Sequence, residues 1–380
     1  HRYLPSFPTR RSSDLPNLLV SARAPRYIAG MLRTQILGIG SFVPERVVKN
    51  DEIRFLNDRH VAQDAAVTET DDAWIQQRTG IKERRYVAEG TYTSDLGLEA
   101  SKRALADAGV AATDIDCIIF ATLSPDIHFP GAGVYLQRKL GVADKTMCPC
   151  FDIRQQCSGF VYGLQMADAF IRTGTYKRIL LVGAEVHSHS LDYSTRGRDV
   201  MVLFGDGAGA VVLGPQETDN ERDGVIYTRA AADGTGAEYL YLKVFDISKA
   251  PYLQYDPKDR EVNQIMYPHM DGKRVYVRAV REMNLATQKA LADTGLTWND
   301  IDWFVPHQAN LRINEQVAQL AQIPPEKCLN TIQFYGNTTA ATVPLTIDYW
   351  RQQGKVKKGD LILSTVFGSG FTWGAAIFRV

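Results

Sequence analysis

Two stretches, ASKRALADAGVAATDID at residues 100–116 and ATQKALADTGLTWNDID at residues 286–302, align without a gap. They agree at Ala100, Ala104, Leu105, Ala106, Asp107, Gly109, Asp114, Ile115 and Asp116, nine of seventeen positions. Each copy reads the same way: an Ala/Leu-rich helix, a stop at glycine, a polar turn, then an apolar strand beginning at Cys117 or Trp303. A second pair extends the match. Residues 157–174 and 337–354 both read as helices, and each is followed by a basic pair, Lys177-Arg178 or Lys357-Lys358, and then by the apolar runs ILLVGAE and LILSTVFGSG.

A repeat of this length is two copies of one α/β unit, expected here over 31–215 and 216–380. Helices alternate with short strands in both copies. The economical packing is two mixed sheets with helix layers between and outside them, an α-β-α-β-α stack about a pseudo-twofold axis. Duplication makes Cys157 and Asn337 equivalent helix starts that face each other near that axis. His307 closes the second copy's strand where the first copy has Ala121, so the repeat alone does not account for it. Sites in such sheets sit where strand carboxyl ends meet helix amino termini, which aims three polar residues at one place.

Composition narrows the function. The 380 residues are 45% hydrophobic, enough for a large core, so disorder is excluded. The 43 basic side chains balance 43 acidic ones, and no global basic field exists to hold a nucleic acid. No apolar run approaches the roughly 18 residues of a membrane helix, which predicts a soluble protein without membrane insertion. Five cysteines, an odd number without a CxxC pair, point to a reducing cytoplasm. The His187 and His189 pair has no flanking ligands at metal spacing, so no metal is expected. Residues 1–30 lack periodicity, and FPTRRSSDL at 7–15 resembles a translated sequencing adapter. They are expected to be a non-native or disordered leader before Met31.

Cys157, in RQQCSGF, follows a strand and opens an amphipathic helix, where the dipole is expected to lower its thiol pKa. With His307 in VPHQANLRI and Asn337 in YGNTTAATVPL, the set suits nucleophilic acyl transfer with amide donors for an oxyanion. A papain-like protease uses the same residue types, but its local signatures and disulfides are missing. The loops at 205–209 and 38–40 do not run from strand into helix as a phosphate cradle would; close backbone packing is the better reading. The loop at Ser369 can bring backbone N–H groups to Cys157.

RQQCSGF, VPHQANLRI, YGNTTAATVPL, FGDGAGAVVL and FGSGFTWG together resemble the β-ketoacyl-ACP synthase III group of thiolase-like condensing enzymes, over about 31–380. The resemblance implies the five-layered thiolase-like fold and a cytoplasmic, cofactor-free acyltransferase. That enzyme condenses an acyl-CoA with malonyl-ACP, releasing carbon dioxide. Cys157 would carry the acyl group, His307 and Asn337 would support decarboxylation, and the backbone of Cys157 and Ser369 would form the oxyanion hole. Trp74 and Arg78 in TDDAWIQQRTGI would bind CoA with Arg198, or with Arg196 after a short shift. Arg312 would dock acyl carrier protein, its bland alternative being a solvated helix face. Phe129 in HFPGAG would close the acyl pocket of a neighbouring subunit in a homodimer. The chain departs from the common pattern at Gln155-Gln156, at Ser369 and over the long connection 237–272, which leaves acyl-chain preference open. A related head-to-head acyl condensing enzyme or superfamily acyltransferase is the alternative activity. A silent carrier-binding subunit has no need for the intact triad.

Overall fold

The computed structural model describes residues 31–53, 56, 70–244, 246–248 and 266–380. The leader expected at 1–30 lies outside the described residues, as does part of the 237–272 connection. In the first half, β1 (Met31–Phe42) precedes a short antiparallel pair, β2 (Arg46–Lys49) and β3 (Glu83–Tyr86). Then β4 (Cys117–Ala121), β5 (Cys150–Ile153), β6 (Ile179–Glu185) and β7 (Gly207–Thr218) join β1 in a five-stranded sheet, ordered β1-β7-β6-β4-β5. The second half repeats the plan. After β8 (Val225–Ala232) comes another short antiparallel pair, β9 (Leu240–Tyr241) and β10 (His269–Met270). β11 (Trp303–Phe304), β12 (Leu361–Gly368) and β13 (Thr372–Arg379) then form a sheet ordered β11-β12-β13-β8.

Read from β8, the second order superimposes on the first, with the same alternation of one parallel and two antiparallel junctions. The counterpart of β5 is reduced to a single bridge between Phe304 and Cys328. β7 runs on past residue 215 to pair Thr218 with Met31, and β8 begins at Val225.

Among the described residues, seven helices of eight or more residues complete the layers: α1 (Asp72–Thr79), α2 (Thr93–Ala108), α3 (Ala132–Lys139), α4 (Gly159–Arg172), α5 (Gly272–Thr294), α6 (Leu311–Leu320) and α7 (Thr342–Gln352). The repeated helices α2 and α5 end at Gly109 and Gly295, with φ of 63° and 65°, so the shared glycine marks a left-handed stop. Phe160, Leu164 and Ile171 of α4 and Val343 and Ile347 of α7 pack between the sheets against Ile119, Leu181, Ile362 and Val366. α2 covers the outer face of the first sheet, and α5 and α6 cover that of the second. The expected five-layered stack is the one observed.

Candidate active site

Cys157 sits in the turn Gln156–Ser158 that joins β5 to α4, where Gln156 takes φ of 45°, unusual for a side-chain-bearing residue. Ser158 Oγ donates to the Thr372 carbonyl at 3.0 Å and ties the turn to β13. A Cβ on Gly368 would stand 3.0 Å from the Cys157 nitrogen, so only glycine lets β12 come this close. The helix start is where the sequence puts it; the acidity is not. Burial pushes the Cys157 thiol up to about 12, and the buried Glu185 carboxylate adds to the rise. The helix terminus acts only locally, whereas the tertiary surroundings bury the sulfur and disfavour its charged form.

Asn337 occupies the equivalent helix start, followed by a 3₁₀ turn, Thr339–Ala341, that leads into α7. Its Oδ1 accepts the Thr339 N–H at 2.8 Å, which turns the amide nitrogen outward as a donor. Its side chain also favours the Cys157 thiolate, against the larger effect of burial. Its main chain is held on both sides, N–H to the Leu203 carbonyl at 2.8 Å and carbonyl to the Gly205 N–H at 3.1 Å. His307 donates its backbone N–H to the Thr365 carbonyl at 2.8 Å. Its Nδ1 lies 2.7 Å from Thr342 Oγ1, which is also 2.9 Å from the Thr339 carbonyl. His307 Nε2 has no protein partner among the described residues. Burial drives the imidazole down to about 3, so the ring is neutral at physiological pH.

Cys157, His307 and Asn337 line one cavity of about 490 Å³ together with Trp74, Arg78, Phe204 and Met283. Trp74 is flanked by two guanidinium groups, Arg78 at 4.3 Å and Arg198 at 4.0 Å from its ring centroid. Arg196 is engaged elsewhere, paired with Asp192 at 2.6 Å. An indole between two cations suits a flat, electron-rich ring carrying phosphates.

Family models match in both halves: 3-oxoacyl-[acyl-carrier-protein] synthase III over residues 151–234, and the C-terminal domain of the same synthase over 291–380. The β-ketoacyl-[acyl-carrier-protein] synthase III of Hyphomonas neptunium is 42% identical, covering 92% of this chain and 99% of that one. The crystal structure of 3-oxoacyl-[acyl-carrier-protein] synthase III from Aquifex aeolicus has a TM-score of 0.77 at 36% identity, covering 91% of this chain and 100% of that one. The priming β-ketosynthase of the R1128 polyketide pathway has a TM-score of 0.79 at 30% identity, covering 94% and 99%. The chain belongs to the β-ketoacyl-ACP synthase III family.

This synthase III chain is a condensing enzyme of the acyltransferase type. Its remaining expected residues fall at varying distance from the cavity. Ser369 follows the cavity-lining Gly368, and its hydroxyl donates to the Leu240 carbonyl. Phe129 is 77% exposed, does not line its own chain's cavity and is available to another surface. Arg312 is only partly a solvated side chain: Nε and Nη2 donate to the Gln77 and Gln76 carbonyls at 3.1 Å each, capping α1, and Nη1 pairs with Glu315. Among the described residues no group of three or more His, Cys, Asp or Glu could hold a metal, and no helix is long and apolar enough to cross a membrane.

Sequence reasoning missed Thr339 and Thr342, which orient Asn337 and His307; their signal is the hydroxyl spacing in GNTTAAT. It also missed Glu185, a fully buried carboxylate at the end of β6. Burial raises it to about 7 against donors that include Ser124 Oγ at 2.6 Å.

Proposed function

We propose that this chain joins an acyl-CoA to malonyl-ACP by decarboxylating Claisen condensation, through an acyl thioester on Cys157. The observation that carries this reading is the convergence of one thiol, one neutral imidazole and one oriented carboxamide on a single cavity, with Trp74 and Arg78 on its wall. In the first half-reaction the sulfur attacks the acyl-CoA carbonyl, and the proton it gives up ends on the departing CoA sulfur. The backbone N–H groups of Cys157 and Ser369 hold the oxyanion, and CoA leaves as the thiol. Trp74, Arg78 and Arg198 bind the nucleotide end of CoA.

In the second half-reaction malonyl-ACP loses carbon dioxide, and its enolate oxygen accepts hydrogen bonds from Asn337 Nδ2 and His307 Nε2. A neutral ring holds one hydrogen, and for it to face the substrate the Thr342 hydroxyl must donate to Nδ1. The enolate carbon attacks the acyl-Cys157 carbonyl, the β-ketoacyl-ACP departs, and the released thiolate takes a proton from solvent. No cofactor enters this sequence. The product serves fatty acid synthesis or a related polyketide or lipid route in the cytoplasm. The working form is a homodimer in which Phe129 reaches the partner's acyl pocket. Arg312 contributes to carrier docking from the cavity's rim, where its side chain keeps 41% exposure.

Intact-mass spectrometry after incubation with acetyl-CoA or butyryl-CoA tests the first half, and carbon dioxide release from malonyl-ACP tests the second. The expected result is one acyl adduct, absent in Cys157→Ser, followed by carbon dioxide and β-ketoacyl-ACP in equal amounts. An unmodified Cys157, or condensation without carbon dioxide, would overturn the proposal. The His307→Ala variant is expected to keep measurable acylation and lose decarboxylation, because the steps use different groups.

A further inference from the structure

Arg84, in β3, is fully buried, yet no carboxylate lies within ion-pair distance of it among the described residues. A buried cation without a directly paired anion breaks an ordinary rule of core composition, and its surroundings indicate what it is kept for. Its Nη2 donates to the Val202 carbonyl at 2.8 Å and its Nη1 to Asn50 Oδ1 at 2.7 Å. Asn50 in turn donates to Asp72 Oδ1 at 2.8 Å, at the start of the helix that carries Trp74 and Arg78. The segment after Val202 is the one that grips Asn337, through Leu203 and Gly205. Phe204 forms a parallel bridge with Asn337 in the same place. The Arg84 side chain also fills the space under both partners: a Cβ on Gly205 would stand 3.0 Å from Arg84 Cβ, and one on Gly336 3.4 Å from it.

We propose that Arg84 is a positioning residue for Asn337: its guanidinium fixes the Val202–Gly205 strip against which the catalytic carboxamide is set, and links that strip to the CoA-binding helix. The Cys157 turn is held independently, by the Gln155 carbonyl, Thr372 and Gly368, none of which is a hydrogen-bond partner of Arg84. Loss of Arg84 therefore acts on the second half-reaction more than the first. The inference rests on the decarboxylating role given to Asn337 above.

The test uses full-length Arg84→Met, Arg84→Lys and Asn50→Ala, with acylation of Cys157 by acetyl-CoA and carbon dioxide release from malonyl-ACP measured separately. At saturating acetyl-CoA, which offsets any weakening of the CoA-binding helix, Arg84→Met is expected to form acyl-enzyme within about threefold of the wild-type rate, while decarboxylation falls by about tenfold or more in kcat with little change in KM for malonyl-ACP. Arg84→Lys, which keeps the charge but not the fork, should fall between. Asn50→Ala leaves Arg84 in place and should show the same split in milder form, which preserves the test if Arg84→Met fails to fold. Guanidinium ion at millimolar concentration should partly restore decarboxylation to a folded Arg84→Ala. Equal losses in both half-reactions, or decarboxylation within about threefold of wild type in folded variants, would sink the proposal. Wild-type enzyme run alongside separates the two ideas, since its failure to release carbon dioxide would count against the reaction itself.

Discussion

Thr342 controls what His307 can offer a substrate. Its hydroxyl stands between an imidazole nitrogen at 2.7 Å and a carbonyl at 2.9 Å, and its one proton decides which ring nitrogen carries hydrogen. Thr342→Val keeps the shape and removes that choice. Decarboxylation is expected to slow by about tenfold while acylation of Cys157 is preserved, and the 15N shifts of His307 should move toward a mixture of tautomers. An unchanged tautomer with unchanged rates would contradict this. The pH dependence has a definite sign. Burial holds the imidazole near 3, so it is neutral across the physiological range, and the His307 15N shifts should show no titration between pH 5 and 8. A His307 titration near pH 6.5 would mean that the ring titrates as if exposed, whereas an inflection in rate near pH 7 belongs to Glu185.

The elements that bring these residues together are packed closely enough to leave little tolerance. A Cβ on Gly183, in β6, would come within 2.5 Å of the Ala340 carbonyl oxygen and 2.9 Å of the Ala341 nitrogen, both main-chain atoms of the turn after Asn337. Backbone cannot give way as a side chain can. Gly183→Ala should lower stability by about 1–3 kcal/mol, read as a fall in melting temperature, and should also reduce decarboxylation. A variant with wild-type melting and kinetics would show that the turn is not tightly seated. Much of this scale was legible beforehand: the shared glycines at 109 and 295 and the strand closing on His307 follow from one gapless alignment, and the equivalent helix starts at 157 and 337 from a second. The reduction of the second fifth strand to a bridge at Cys328 was not, because a strand is defined by its neighbour as much as by its own residues. The thiol acidity was misjudged for a related reason. A helix terminus can be read from local sequence, but the water excluded by β12, β13 and the opposite turn cannot.

At the scale of the molecule, the two halves are joined across their sequence distance by Arg351 with Asp107, at 2.8 and 3.1 Å, and by Ser41 with Asp348 at 2.6 Å. The hydrogen bonds and nearby cations hold the Asp107 carboxyl below its usual range, despite the opposing effect of its partial burial. One edge of the first sheet is β5. Among the described residues β5 pairs only with β4, and its side chains are partly exposed. On the elements next to it, Ile127, Phe129, Val134 and Met147 are exposed apolar side chains, Phe129 at 77% and Met147 fully. The stem of the loop that presents Phe129 is fixed, by the Leu123 and Ser124 N–H groups on Glu185 and by Ser94 on Asp126, so its tip projects as a preformed contact. An unpaired strand beside rigid exposed apolar groups is the arrangement a second copy covers. Sedimentation equilibrium is therefore expected to give twice the chain mass. Phe129→Glu combined with Met147→Glu should shift the protein toward the monomer, because both charges would have to be buried at the contact. Condensing activity should fall in parallel, since Phe129 is assigned to the partner's acyl pocket. A wild-type monomer with full activity would refute both the dimer and that role.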